Sequence, residues 1–106
     1  MSNYRNKKQK KLAAQFKVLG HPHRLAILKK LARCVREKGP LAACVAEAGQ
    51  GLGLAPSTIS HHVKELRQAG LITVERRGRE VHCQVNEKTI EEAITYLEDL
   101  LASKQH

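Results

Sequence analysis

Apolar positions recur every three or four residues along most of this chain, and where that rhythm breaks, glycine or proline stands. Leu12, Ala13, Phe16 and Leu19 fall on one stripe and Gly20 supplies a stop, which predicts a first amphipathic helix. His21-Pro22 opens a second helix with proline in its first position, where the missing N–H costs nothing. Leu25, Leu28, Leu31, Ala32 and Val35 give that helix a broad apolar face, and Gly39-Pro40 ends it. A third, weaker helix is predicted over 41–52, because Gly49 and Gly51 each cost about 1 kcal/mol relative to alanine in a helix interior. The fourth starts at Pro56, buries Ile59, Val63 and Leu66, and stops at Gly70-Leu71, with Leu71 folding back on Leu66.

The period then changes to two. Ile72 and Val74 alternate with Thr73 and Glu75, and Val81, Cys83 and Val85 alternate with His82, Gln84 and Asn86. Arg76-Arg77-Gly78-Arg79 turns the chain between them, so a β-hairpin is predicted. A last helix from about Lys88 carries Ile90, Ala93, Ile94, Leu97, Leu100 and Leu101. That stripe is wider than one small core needs, and part of it is expected to meet a second subunit.

With 106 residues the chain is one domain on the length prior. Residues 1–11, with five bases and no acid, are expected to form a basic, partly disordered arm ahead of a domain over 12–106. Hydrophobic residues at 42% and charged residues at 27% exclude a disordered, collagen-like or disulfide-packed scaffold. The longest apolar run, Leu41 to Ala46, is far short of the roughly 20 residues that span a bilayer. The basic N-terminus lacks the apolar segment of a secretory signal, so a reducing cytoplasm and free thiols are expected.

Charge narrows the function. The chain carries +9, yet residues 87–106 hold five acids against two bases. A basic body ahead of an acidic last helix suggests a polyanion on one side and a different role for the tail.

Helices followed by a basic hairpin and a final helix make the order of a winged helix-turn-helix, mainly α with a small β-hairpin, in which 57–68 is the recognition helix. With Ile59, Val63 and Leu66 inward, Ser57, Thr58, Ser60, His61 and Lys64 fall on the outer edge and near the helix N-terminus, where they suit phosphate oxygens or base edges. His62 is placed on the same DNA-facing surface, and His21 at the N-cap of the second helix. Arg76, Arg77 and Arg79 suit a wing that straddles the backbone and enters the minor groove, with Glu75 and Glu80 flanking rather than neutralising them. The bland alternatives are a solvated surface helix and a merely soluble turn.

At these residues the sequence resembles the ArsR/SmtB family of bacterial transcriptional repressors. The likeness runs from Leu12 to Leu101 and is carried by Leu19-Gly20-His21-Pro22-His23-Arg24-Leu25-Ala26-Ile27-Leu28, by Leu52 through Leu66, and by Ala69-Gly70-Leu71-Ile72, of which the middle stretch is highly specific. It implies a homodimer joined through the first and last helices, here by Leu12, Phe16, Ile90, Ile94, Leu97 and Leu101. It also implies two recognition helices on a palindromic double-stranded DNA operator, with repression relieved by an inducer. Ala55 departs from the serine that often caps the family's recognition helix.

The inducer is left open. The family's carboxylate and imidazole site on the last helix aligns with Glu87, Thr89, Leu100 and Ser103, three of which are poor zinc ligands, so no zinc site is predicted there. The family's Cys-x-Cys-Asp signature reads Cys44-Val45-Ala46-Glu47 here and keeps only its first thiolate. Cys34, Cys44 and Cys83 are the chain's three sulfurs, enough for arsenite, antimonite or another thiophilic ion if they meet. A short strand near Leu41 pairing with the second wing strand would bring Cys83 toward the other two. Buried core thiols, a thiophilic site and a redox or persulfide switch all remain readings of these cysteines. Two further function classes stand beside the repressor: an effector-independent or non-specific architectural DNA-binding protein, and a small thiol enzyme using Cys83 or Cys44. The chain shows no glycine-rich phosphate loop, carboxylate pair or nucleophile elbow for the latter.

Overall fold

The computed structural model describes residues 3–38 and 41–103. Five helices and one hairpin follow in the order α1 (Asn3–Leu19), α2 (Pro22–Lys38), α3 (Leu41–Gln50), α4 (Pro56–Gln68), β1 (Ile72–Arg77), β2 (Glu80–Val85) and α5 (Glu87–Ser103). Helices α2, α3 and α4 enclose one core with the hairpin. Ile27 and Leu31 of α2, Cys44 of α3, Ile59, Val63 and Leu66 of α4, and Leu71, Ile72 and Cys83 meet in it.

Two local features set the angle and end of α4. Gly49 is buried in α3, and a Cβ there would stand 2.9 Å from Cγ1 of Ile59. The glycine that weakens α3 as an isolated helix therefore lets α4 approach it closely. At the other end Gly70 takes φ +78°, the Gly70 amide donates to the Arg67 carbonyl and the Leu71 amide to the Leu66 carbonyl. This double reversal closes the helix as the Gly70-Leu71 pair predicts and buries Leu71. The Asn86 amide then donates to the Leu71 carbonyl over 2.9 Å, so the start of α5 is fastened to the end of α4.

The hairpin is antiparallel, with Ile72 opposite Val85, Val74 opposite Cys83 and Arg77 opposite Glu80. Gly78 at φ +63° is the first of two turn residues, the position where a two-residue hairpin favours glycine.

Several expectations are corrected. Helix α1 reaches back to Asn3 and takes in most of the stretch expected as a partly disordered arm. Lysine, arginine and glutamine are good helix formers that leave no apolar period to read. Helix α3 ends at Gln50, two residues early, and Leu41 is helical rather than part of a strand; among the described residues the sheet has two strands. Gly39-Pro40 lies outside the described residues. The expectation of free thiols fails for two cysteines: Cys34 and Cys44 form a disulfide, with Cα atoms 5.7 Å apart. Helices α2 and α3 meet at this point, so residues ten apart in sequence are carried into bonding range. Cys83 stays a free, buried thiol in the same core.

Candidate nucleic-acid interface

Helix α4 sorts its side chains by edge. Ile59, His62, Val63 and Leu66 are buried, whereas Ser57, Thr58, Ser60, His61 and Lys64 are all exposed. The helix starts on Pro56 with Ala55 extended before it (φ −65°, ψ 148°), and no side chain caps its first turn. An uncapped N-terminus bearing two hydroxyls favours anionic oxygens through its amides and dipole. His61 Nε2 lies 3.8 Å from Glu65 one turn on, an exposed pairing that leaves the imidazole on the outer edge.

His62 is the correction. It is 6% exposed and faces inward, against the expectation that it shares the DNA surface with His61. Its Nδ1 accepts a hydrogen bond from Arg24 Nε over 3.0 Å, and its ring lies edge-on to His21, with centroids 4.7 Å apart. Burial, then the nearby His21 and Arg24, lower its pKa from the ordinary histidine value, so the imidazole is neutral at neutral pH. His21 acts where the sequence places it: its Nδ1 accepts the His23 amide over 3.2 Å at the start of α2.

On the hairpin Arg76, Arg77 and Arg79 are exposed. Arg77 lies 3.4 Å from the Glu75 carboxylate, so Glu75 does engage one of the three guanidinium groups, contrary to expectation. A pair this exposed contributes little and yields readily to a phosphate. Arg76 and Arg79 have no such pairing with Glu75.

The residues expected at a subunit contact divide. Leu12 is buried within the protomer and Ile90 packs against its core. Phe16 is half-buried and meets Tyr96 of α5 with ring centroids 6.5 Å apart. Ile94, Leu97 and Leu101 are uncovered, Leu101 by 67%, together with Leu100. Four large aliphatic side chains on one helix thus face outward.

An open cleft of about 710 Å³ lies between α2 and the hairpin, lined in part by Arg36, His82 and Cys83. Cys83 is poorly suited to attack: burial raises its thiol pKa, the opposite of an activated nucleophile. No helix among the described residues is long and apolar enough to cross a membrane.

The helix-turn-helix domain family matches residues 19–75, the stretch from the end of α1 through most of β1. An uncharacterised HTH-type transcriptional regulator of Methanocaldococcus jannaschii is 33% identical over 93 residues, which span 88% of this chain and 98% of that protein. Among solved structures, an ArsR-like transcriptional regulator from Rhodococcus superposes with a TM-score of 0.72 at 21% identity, covering 93% of this chain and 87% of that one. The homodimeric winged helix-turn-helix DNA-binding domain of a Mycobacterium bovis protein gives 0.64 at 20% identity, covering 100% and 94%.

Proposed function

The chain belongs to the helix-turn-helix family as a DNA-binding transcriptional regulator of the ArsR winged type, and from that premise we propose that it acts as a homodimeric repressor of a palindromic operator. The observation that carries this reading is the sorting of α4: five polar side chains share its open edge while its apolar residues and His62 turn inward. Ser60, His61 and Lys64 then read base edges, Ser57 and Thr58 hold phosphate at the helix start, and Arg76, Arg77 and Arg79 bind backbone and minor groove. The uncovered Ile94, Leu97, Leu100 and Leu101 supply the surface on which a second copy sets two α4 helices one helical turn of DNA apart. The test is binding to duplex from the protein's own promoter against a scrambled duplex of equal length, over a range of salt. The repressor binds its promoter about a thousandfold or more tighter. Equal affinity for both duplexes, with a steep salt dependence, overturns it in favour of an architectural protein.

The disulfide favours one inducer chemistry over another. With Cys34 and Cys44 bonded to each other, a three-sulfur site for arsenite or antimonite lacks two of its ligands. We therefore assign the inducing event to thiol oxidation: the two thiols yield two electrons and two protons to a peroxide, which leaves as two oxygen-protonated products, and the sulfurs join. Operator release by peroxide, reversed by dithiothreitol and lost in Cys34→Ser and Cys44→Ser, is the expected result. Release of the reduced protein by arsenite instead overturns the assignment.

A further inference from the structure

Three imidazoles converge where α2 starts beside α4. His21, His23 and His62 each offer a ring nitrogen, and these atoms lie within 4.8 Å of one another. The ring centroids stand 4.7 Å (His21 and His62), 5.3 Å (His21 and His23) and 6.2 Å (His23 and His62) apart. Local sequence produces the cluster. Pro22 starts α2 between two of the histidines, and α4 carries the third on its buried edge, four residues before Leu66. His21 and His23 are half-buried and reachable from solvent, whereas His62 forms the floor.

We propose that His21, His23 and His62 bind a divalent ion of the zinc, cobalt or nickel class, and that filling the site displaces Arg24 from His62. Neutral imidazole is the preferred nitrogen ligand of these ions, and three of them leave a fourth position for water. Bonds of about 2.0–2.1 Å at tetrahedral angles set ligand nitrogens roughly 3.3 Å apart, so nitrogens that now lie within 4.8 Å of one another need to draw in by no more than about 1.5 Å. The displacement follows from proton counting. A neutral imidazole has one lone pair and one N–H, and the lone pair of His62 on Nδ1 already accepts from Arg24 Nε. An ion at Nδ1 replaces Arg24 directly. An ion at Nε2 moves the ring proton to Nδ1, where it faces the Arg24 donor. His21 is under the same constraint, since its Nδ1 accepts the His23 amide. The ion thus competes with two hydrogen bonds at the start of α2 while tying that start to α4. Any effect on operator affinity rests on α4 being the groove-facing helix; ion binding itself does not, so it is tested without DNA.

The experiment titrates the full chain with Co²⁺ and follows its absorption, in wild type, His23→Asn, Arg24→Met and Cys83→Ser. Wild type takes one Co²⁺ per protomer, with visible d–d bands and no thiolate charge-transfer band, and Cys83→Ser behaves identically. His23→Asn weakens binding at least about tenfold and abolishes the rise in Tm that saturating Co²⁺ gives wild type, while its metal-free Tm stays unchanged. Arg24→Met tightens binding about fivefold, the worth of one hydrogen bond no longer in competition. No Co²⁺ uptake at millimolar concentration, a thiolate band, or undiminished affinity in His23→Asn overturns the site. Unchanged or weaker affinity in Arg24→Met overturns the displacement.

Discussion

Arg24 Nε donates to Nδ1 of His62 over 3.0 Å, joining the first turn of α2 to the buried edge of α4. Arg24→Met keeps the aliphatic stem and leaves an almost fully buried acceptor without its donor. The expected loss is about 1–3 kcal/mol, read from urea denaturation at pH 7.5. An unshifted midpoint would mean that the pair contributes nothing to the fold.

The lowered pKa of His62 makes stability depend on pH with a definite sign. In the unfolded chain the imidazole takes a proton near 6.5, whereas in the fold it does so only at lower pH, since burial first, then His21 and Arg24, oppose the charge. The unfolded state therefore binds more protons as the medium is acidified. The stability due to neutral His62 is present above pH 6.5 and is lost as pH falls through the folded value. Denaturation midpoints for wild type should drop between pH 7 and pH 5, and His62→Gln should flatten that drop. Parallel curves for the two proteins would refute the assignment.

Gly49 is predicted to resist alanine despite lying within a helix. The substitution adds helix propensity of about 1 kcal/mol. It also places a Cβ 2.9 Å from Cγ1 of Ile59 in a packed core, a crowding that typically costs about 1–3 kcal/mol. Packing wins, and the Tm should fall by about 4–8 °C for each net 1 kcal/mol. A raised Tm would show that α3 and α4 separate more easily than their contact suggests.

Leu97→Glu places a charge on the outward face of α5 without touching the core, since Leu97 is 49% exposed. Sedimentation should show a dimer for wild type and a monomer for the variant, with the far-ultraviolet spectrum unchanged. A variant that stays dimeric removes this face from the subunit contact.

Substitutions on the wing and on α4 should separate by type. Arg79→Ala removes a contact to phosphate, so it should weaken binding on every sequence alike and reduce the salt slope by about one. His61→Ala should change which bases are preferred and leave that slope unaltered. Arg77→Ala should weaken binding less than Arg79→Ala, because Arg77 must first leave Glu75. The reverse pattern would exchange the roles of hairpin and helix.

Most of the framework was legible because apolar spacing and backbone geometry point the same way. Ile59, Val63 and Leu66 fix the inner edge of α4, and Gly70-Leu71 closes it as predicted, since glycine is suited to the φ of +78° required there. The start of α1 was not legible: from Asn3 to Lys11 a single hydrophobic residue, Tyr4, sets no period and marks no face. His62 is a different case, for its signal was present. Positions 59, 62, 63 and 66 form one stripe at helical spacing, and a polar residue on such a stripe must bring a partner into the core, here Arg24. The joining of Cys34 to Cys44 had no such signal, because it depends on the angle at which α2 meets α3.

That sulfur bridge also makes residues 34–44 a closed ring in an otherwise linear polymer. A protease cutting once inside the ring leaves a single covalent molecule of unchanged mass apart from one added water. The two pieces part only on reduction. Partial digestion run with and without a thiol therefore reports, on a gel, what fraction of the protein carries the bridge.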